Sequence, residues 1–179
     1  MSLHSRNEVQ MYPHVVDWLQ KYLESLFSNA KISVYDTHAS ALNEIISRKG
    51  LQKYFDSNIW QTYDIRIDIA GFIVRKNRLD LAFIECKDSS ISLSDLSQLL
   101  GYCREANPLI AYLISNKGIG NTLNSLLIAY NRTDILEYHW ERGKKPRRML
   151  LAKWNETAKN IDFGTLLPFG AVANLTGIE

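Results

Sequence analysis

The sequence predicts an α/β domain: a mixed β-sheet with helices packed against it. Three observations carry this. An apolar stripe at helical spacing opens the chain. Two strand-like runs joined by a polar turn occupy its middle. Beyond residue 92, helix-like and strand-like segments alternate, as they do where helices cover a sheet. The chain has 179 residues, 46% of them apolar, which suits one domain with a sizeable core.

The stripe consists of Tyr12, Val15, Val16, Leu19, Tyr22, Leu23 and Leu26. Pro13 interrupts it, which predicts a kink or a helix start at that point. A β-rich run from Ile32 to Thr37 follows. Residues 39–48 predict a second, shorter helix closed by Gly50. Residues 51–63 hold Tyr54, Phe55, Trp60 and Tyr63 in no regular pattern.

Residues 64–74 alternate, which predicts a strand with Ile65, Ile67 and Ile69 on one face and Asp64, Arg66, Asp68 and Ala70 on the other. Arg75 to Arg78 is a polar turn, and Leu79 to Lys87 is the next strand, so the pair predicts an antiparallel hairpin. Both faces of 81–86 are largely apolar, as in a central strand. Ser92 and Asp95 have the spacing of a capping box. The helix it opens buries Leu96, Leu99, Leu100 and Cys103. Pro108 ends that segment. Leu109–Ser115 predicts a strand, 119–130 a helix and Ile135–Trp140 a strand. The expected core covers about residues 5–140, with 141–179 as a basic loop and C-terminal extension.

The bulk properties exclude some classes. A formal charge of +2 is too small to indicate nucleic acid by itself and does not exclude it. No apolar run is long enough for a bilayer, so no membrane partner is expected. The two cysteines, Cys86 and Cys103, make no disulfide framework. With no signal-peptide layout, a soluble cytoplasmic protein is expected. The four histidines lack zinc-ligand spacing, and neither a G-x-S-x-G elbow nor a phosphate-binding loop occurs.

The chemistry concentrates between Asp64 and Lys87. Glu85 and Lys87 are two apart in a strand and share a face. Asp68 lies in the neighbouring strand. If register sets it opposite Glu85, two carboxylates come within reach of one ion. Like charges that close are costly unless neutralised. Mg²⁺ or Mn²⁺ would neutralise them while also accepting water and phosphate oxygens. Lys87 would stabilise charge at a phosphate in the transition state. The alternative is an internal ion-pair network of Asp68, Glu85 and Lys87 without metal.

Asp68 in IRIDIAG, Glu85 and Lys87 in FIECK, and Gln98 and Tyr102 in SQLLGY together resemble the PD-(D/E)xK nuclease superfamily. The resemblance covers residues 5 to about 115, with Ile67 where the motif's name has proline. It implies a restriction-endonuclease-like fold: helix, three strands, helix and fourth strand around a mixed sheet. It implies Mg²⁺- or Mn²⁺-dependent phosphodiester hydrolysis, with DNA the expected substrate and a homodimer plausible. Asp68, Glu85 and the Cys86 carbonyl would hold the metal, and Gln98 would orient the site. A non-cleaving nucleic-acid-binding or assembly module of the same fold is the alternative.

A glutamate on the first helix often completes such sites. Glu8 lies in the inward stripe and is preferred to Glu44, which is expected to face solvent. Glu8 equally fits a capping box with Ser5. Gln98 and Tyr102 share a helical face turned away from the Leu96/Leu100 stripe, which fits a solvated surface as well as a site. The segment 142–148 carries Arg142, Lys144, Lys145, Arg147 and Arg148, expected to track a DNA backbone beside the site. An ordinary solvated loop is the other reading. Lys117–Gly120 reads as a turn.

Overall fold

The computed structural model describes residues 6–169. Helix α1 (Arg6–Leu26) starts before Pro13 and continues through it, with Pro13 on the solvent side. Ser5, the proposed capping partner of Glu8, lies outside the described residues. Strand β1 (Lys31–Asp36) follows, then helix α2 (Leu42–Arg48), closed by Gly50 at φ 66°. The expected start of α2 at 39 is too early, because residues 37–40 make a turn (Ser40 N–H to Thr37 O, 3.0 Å). The first amides of α2 then bond across the molecule, Leu42 N–H to Ile65 O and Asn43 N–H to Tyr63 O, in place of a local cap. Residues 51–63 form two 3-10 turns, Gln52–Tyr54 and Asn58–Thr62.

Strands β2 (Ile69–Arg75) and β3 (Arg78–Lys87) form the antiparallel hairpin, with Lys76 at φ 54° in its two-residue loop. Helix α3 (Leu93–Ala106) opens with a complete Ser92/Asp95 capping box. It carries the chain over to strand β4 (Ile110–Ser115), parallel to β3. Helix α4 (Asn121–Ile128) comes next. The strand expected over 135–140 shrinks to β5 (Glu137–His139), after a 3-10 turn over Thr133–Leu136. Among the described residues β5 pairs only with β6 (Arg147–Arg148).

Strands β7 (Leu150–Asn155) and β8 (Asn160–Leu167) overturn the expected core boundary near 140. β7 pairs parallel to β4, giving a six-stranded mixed sheet ordered β1-β2-β3-β4-β7-β8. Leu150, Leu151, Trp154 and Ile161 are buried, so this segment is core rather than extension. The protein is therefore α/β, a mixed central sheet with helices on both faces. One face packs on α1, through Tyr12, Val15, Leu19 and Leu23 against Ile69, Ile84, Tyr112 and Trp154. The other packs on α2, α3 and α4. Among the described residues no helix is long and apolar enough to cross a membrane.

Gly71 sets how closely α1 approaches the sheet. A Cβ there would lie 2.9 Å from Leu23 Cδ1 and 3.2 Å from Ala82 Cβ, among fully buried neighbours. Overpacking of this kind costs about 1–3 kcal/mol. Urea unfolding of Gly71→Val is expected to show a loss in that range and Gly71→Ala a smaller one. An unchanged midpoint would mean that α1 yields freely.

Candidate functional site

The hairpin register decides the site. Its last ladder pair toward the open end is Ile69↔Ile84, which brings Asp68, one residue further out, level with Glu85. The chain bends at Asp68. Thr37 holds the bend: its N–H donates to Asp68 O (2.8 Å) and its hydroxyl to Ile67 O (2.5 Å). Here the expected strand alternation fails. Ile65 and Ile67 pack with Ala70 and Phe72 against α2, while Ile69 points to α1. Residues 64–67 leave the ladder to meet α2, and the phase shifts at Asp68.

Because it sits at the sheet's lip, Asp68 reaches groups from two elements. Tyr12 Oη, on α1, donates to Asp68 Oδ1 (2.9 Å), and the Cys86 backbone N–H donates to Oδ2 (2.8 Å). Burial, then the carboxylate of Asp68, raises the Tyr12 phenol, so it remains a donor. The Tyr12 contact has no signal in the sequence, where Tyr12 reads only as core. Cys86 itself points into the α1 layer and is fully buried. Burial, with help from Asp68 and Glu85, keeps its thiol protonated. Its carbonyl is the one Cys86 atom that could serve as the metal ligand the resemblance implies.

Glu85 and Lys87 project from the opposite face, toward α3. Lys87 Nζ lies 2.9 Å from Glu85 Oε1 and 3.8 Å from Glu8 Oε1. Glu8 is buried on the first turn of α1, as its place in the stripe predicts. Glu44 faces solvent. Gln98 is exposed, yet its Nε2 reaches Glu85 Oε1 (3.3 Å) and Tyr102 Oη (3.2 Å). The five expected residues Asp68, Glu85, Lys87, Glu8 and Gln98 therefore converge at the carboxyl end of β3.

Glu85 is the anomalous member. It is 1% exposed, and its Oε2 has no hydrogen-bond partner among the described residues. Asp80, the other buried acid of the hairpin, is by contrast held by Arg75 (2.6 Å) and Arg78 (3.2 Å). An unmet buried carboxylate oxygen is costly. Burial pushes the Glu85 carboxyl up to about 8 and Asp68 adds to the rise, while Lys87 opposes it. Burial alone would lower the Lys87 ammonium, but Glu85, Asp68 and Glu8 outweigh it and the net shift is upward. The direction for Glu85 agrees with the unmet Oε2.

Two hard carboxylates, one with an unmet oxygen, suit a hard divalent cation. Among the described residues no group of three His, Cys, Asp or Glu forms a ready metal cage. Asp68 and Glu85 alone could supply only part of a coordination shell. Mg²⁺ commonly takes the rest from water and phosphate.

Comparison of the chain with protein-family models, curated proteins and solved structures gave no match. The chemistry of the site therefore carries the functional argument alone.

The basic segment is elsewhere. Arg147 donates to Asn107 O (3.0 Å), Asn107 Oδ1 (3.1 Å) and Pro108 O (3.2 Å). Arg148 pairs with Glu137 (2.5 Å) and Lys144 with Glu141 (2.8 Å). Pro108 precedes β4, whereas Ser115, level with Lys87, closes it. At about 3.3 Å per residue the two ends are roughly 20 Å apart. For Arg147 and Arg148 the expectation of a basic loop beside the site is not met. Arg147 and Arg148 instead tie β6 to its surroundings.

Proton linkage gives a test that needs no substrate. The folded protein holds the Glu85 proton more tightly than the unfolded chain, for which 4.5 is the ordinary value. Its contribution to stability is therefore full below about 4.5 and is lost as pH rises to about 8. One such proton changes stability by about 1.4 kcal/mol per pH unit within the window. Metal-free melting measured from pH 5 to 8 should show this decline, and Mg²⁺ or Mn²⁺ should offset it at the alkaline end. A flat profile unaffected by either ion would refute the assignment of Glu85.

Proposed function

We propose that this protein is a divalent-metal-dependent nuclease of the PD-(D/E)xK type, on a restriction-endonuclease-like fold, hydrolysing phosphodiester bonds in DNA. The order α1, β1, β2, β3, α3, β4 supports the fold assignment, with α2 inserted between β1 and β2. The observation that carries the activity is the unmet Glu85 Oε2 in a carboxylate pair beside Lys87.

Asp68 and Glu85 would hold Mg²⁺ or Mn²⁺, with the Cys86 carbonyl as the resemblance implies. Such a cation lowers the pKa of bound water and neutralises phosphate charge. Tyr12 and the Cys86 N–H fix the Asp68 carboxylate by donating to both of its oxygens. Lys87 stabilises negative charge as it grows on the phosphate in the transition state. Glu8 holds the Lys87 ammonium from the α1 side, and Gln98 steadies Glu85 from α3. Water-poor surroundings strengthen each of these interactions.

One observation favours a different reading. The direct Lys87–Glu85 bond is what an internal ion pair would need, in a binding module that does not cleave. Cleavage separates the two. Wild-type protein is incubated with supercoiled plasmid, branched DNA and single-stranded DNA, with Mg²⁺ or Mn²⁺. Metal-dependent nicking that disappears in Asp68→Ala and Lys87→Ala, both shown to be folded, is the expected result. Intact DNA on every substrate, with no metal bound, would leave the non-cleaving module.

A further inference from the structure

Lys87 does not stand alone at its end of the sheet. β3 and β4 pair with Lys87 level with Ser115, and β4 and β7 pair with Ser115 level with Lys153. The three positions form one row across three adjacent strands. They also share a face, because Phe83, four residues before Lys87, and Leu113 and Leu151, two before Ser115 and Lys153, all pack on the α2, α3 and α4 side. Two strand spacings put the Lys87 and Lys153 backbones roughly 10 Å apart.

Lys117 joins the row from the β4–α4 loop. That loop is held firmly: Ile91 N–H donates to Gly118 O and Gly120 N–H to Ile91 O, both at 2.9 Å. Gly118, at φ 77°, packs on the Lys153 stem, since an added Cβ would sit 3.9 Å from Lys153 Cβ and Cδ. Lys117 and Lys153 are exposed, and neither makes an ion pair among the described residues. The nearest acid in the row, Asp162 on β8, is level with Lys153 but accepts from the Gly164 N–H (3.0 Å). Two cations without carboxylate partners thus continue the line of the site lysine.

We propose that Lys117 and Lys153 are the phosphate-binding track of this protein, so that a DNA backbone crosses the carboxyl end of the sheet from Lys87 toward β7. This rests on the nuclease reading for its substrate. It replaces the 142–148 segment, where Arg147 bonds at the other end of the sheet and Arg148 and Lys144 are held in ion pairs. It also gives the C-terminal strands a role, since Lys153 is part of β7.

The test is the salt dependence of DNA binding. Anisotropy of a labelled duplex oligonucleotide is measured with Mg²⁺ in an Asp68→Asn background, where cutting is not expected. Each phosphate contact contributes about 0.9 to the slope of log affinity against log salt. Lys117→Ala with Lys153→Ala should lower that slope by about two contacts. Arg142→Ala with Lys144→Ala should leave it unchanged. Melting curves check that both pairs fold. An unchanged slope in the lysine pair, or no binding by the parent, overturns the track. The plasmid assay is read separately. Cleavage by wild type together with an unchanged slope sinks the track alone. A lowered slope without any cleavage sinks the nuclease reading alone and leaves a DNA-binding surface.

Discussion

Asp68→Asn is expected to cut metal-dependent cleavage by at least about a hundredfold while leaving the fold intact. The two donors on Asp68 make this a clean change. The amide oxygen can still accept from the Cys86 N–H, and the amide NH₂ can face the Tyr12 hydroxyl, which accepts as readily as it donates. Shape and hydrogen bonding survive, and only the charge is lost. Removing one of two carboxylates from a hard-cation site weakens metal binding directly, and losing a preorganised charge costs roughly a hundred- to a thousandfold in rate. A second effect has the opposite sign. Asp68 raises the Glu85 pKa, so removing its charge relieves repulsion between two buried acids. Metal-free Asp68→Asn should therefore melt no lower than wild type at pH 8, where the repulsion is greatest. Calorimetry with Mn²⁺ should show weaker binding than wild type. Full cleavage by the variant would remove Asp68 from the mechanism. A large drop in its metal-free melting temperature would make it a structural acid.

The same residues show how far the sequence can be read. The hairpin, the capped helix after it and the cover of helices on a mixed sheet were legible because each rests on a local pattern: alternation, a capping box, or an apolar stripe. Glu85, Lys87 and Gln98 were legible for the same reason, since their spacing along β3 and α3 fixes which way they point. Asp68 was legible as a position but not in its environment. Its bend depends on Thr37, thirty-one residues away in sequence, and no local pattern signals that. Tyr12 is the extreme case, because its spacing marks it as core while its hydroxyl serves the site.

The C-terminal strands were missed for a different reason. Leu150, Ala152 and Trp154 do alternate with Leu151, Lys153 and Asn155, but Leu151 is buried too. That half-broken alternation is the mark of a strand covered on both faces. The basic run at 142–148 drew attention by charge density alone. Charge density says nothing of place, and here β6 carries two of the cations to the end of the sheet away from the site. Lys117 and Lys153, thirty-six residues apart, come together only through strand register.

Lys87→Met should separate catalysis from stability. Among the described residues Lys87 is the only cation within ion-pair distance of Glu85, and Glu8 lies within reach of the same ammonium. Methionine keeps the unbranched stem and removes the charge. Lys87 holds the Glu85 pKa down, so at pH 9 the metal-free variant must either bury Glu85 as an uncompensated carboxylate or bind a proton against the solution pH, a loss of about 3–5 kcal/mol for a broken buried pair. At pH 6, below the raised Glu85 pKa of about 8, the carboxyl takes up a proton and much of that loss disappears. The destabilisation should therefore grow with pH across this interval. Mg²⁺ should offset it, since a cation between Asp68 and Glu85 replaces the missing charge. Cleavage should not recover in the same way. A cation held by the two acids neutralises the ground state, whereas the Lys87 ammonium is assigned to charge that appears only in the transition state. Cleavage by Lys87→Met at saturating Mg²⁺ should stay at least about a hundredfold below wild type even where melting shows the fold restored. If restoring stability with Mg²⁺ also restores the rate, Lys87 acts only as the partner of Glu85, and the charge-stabilising role belongs to another group.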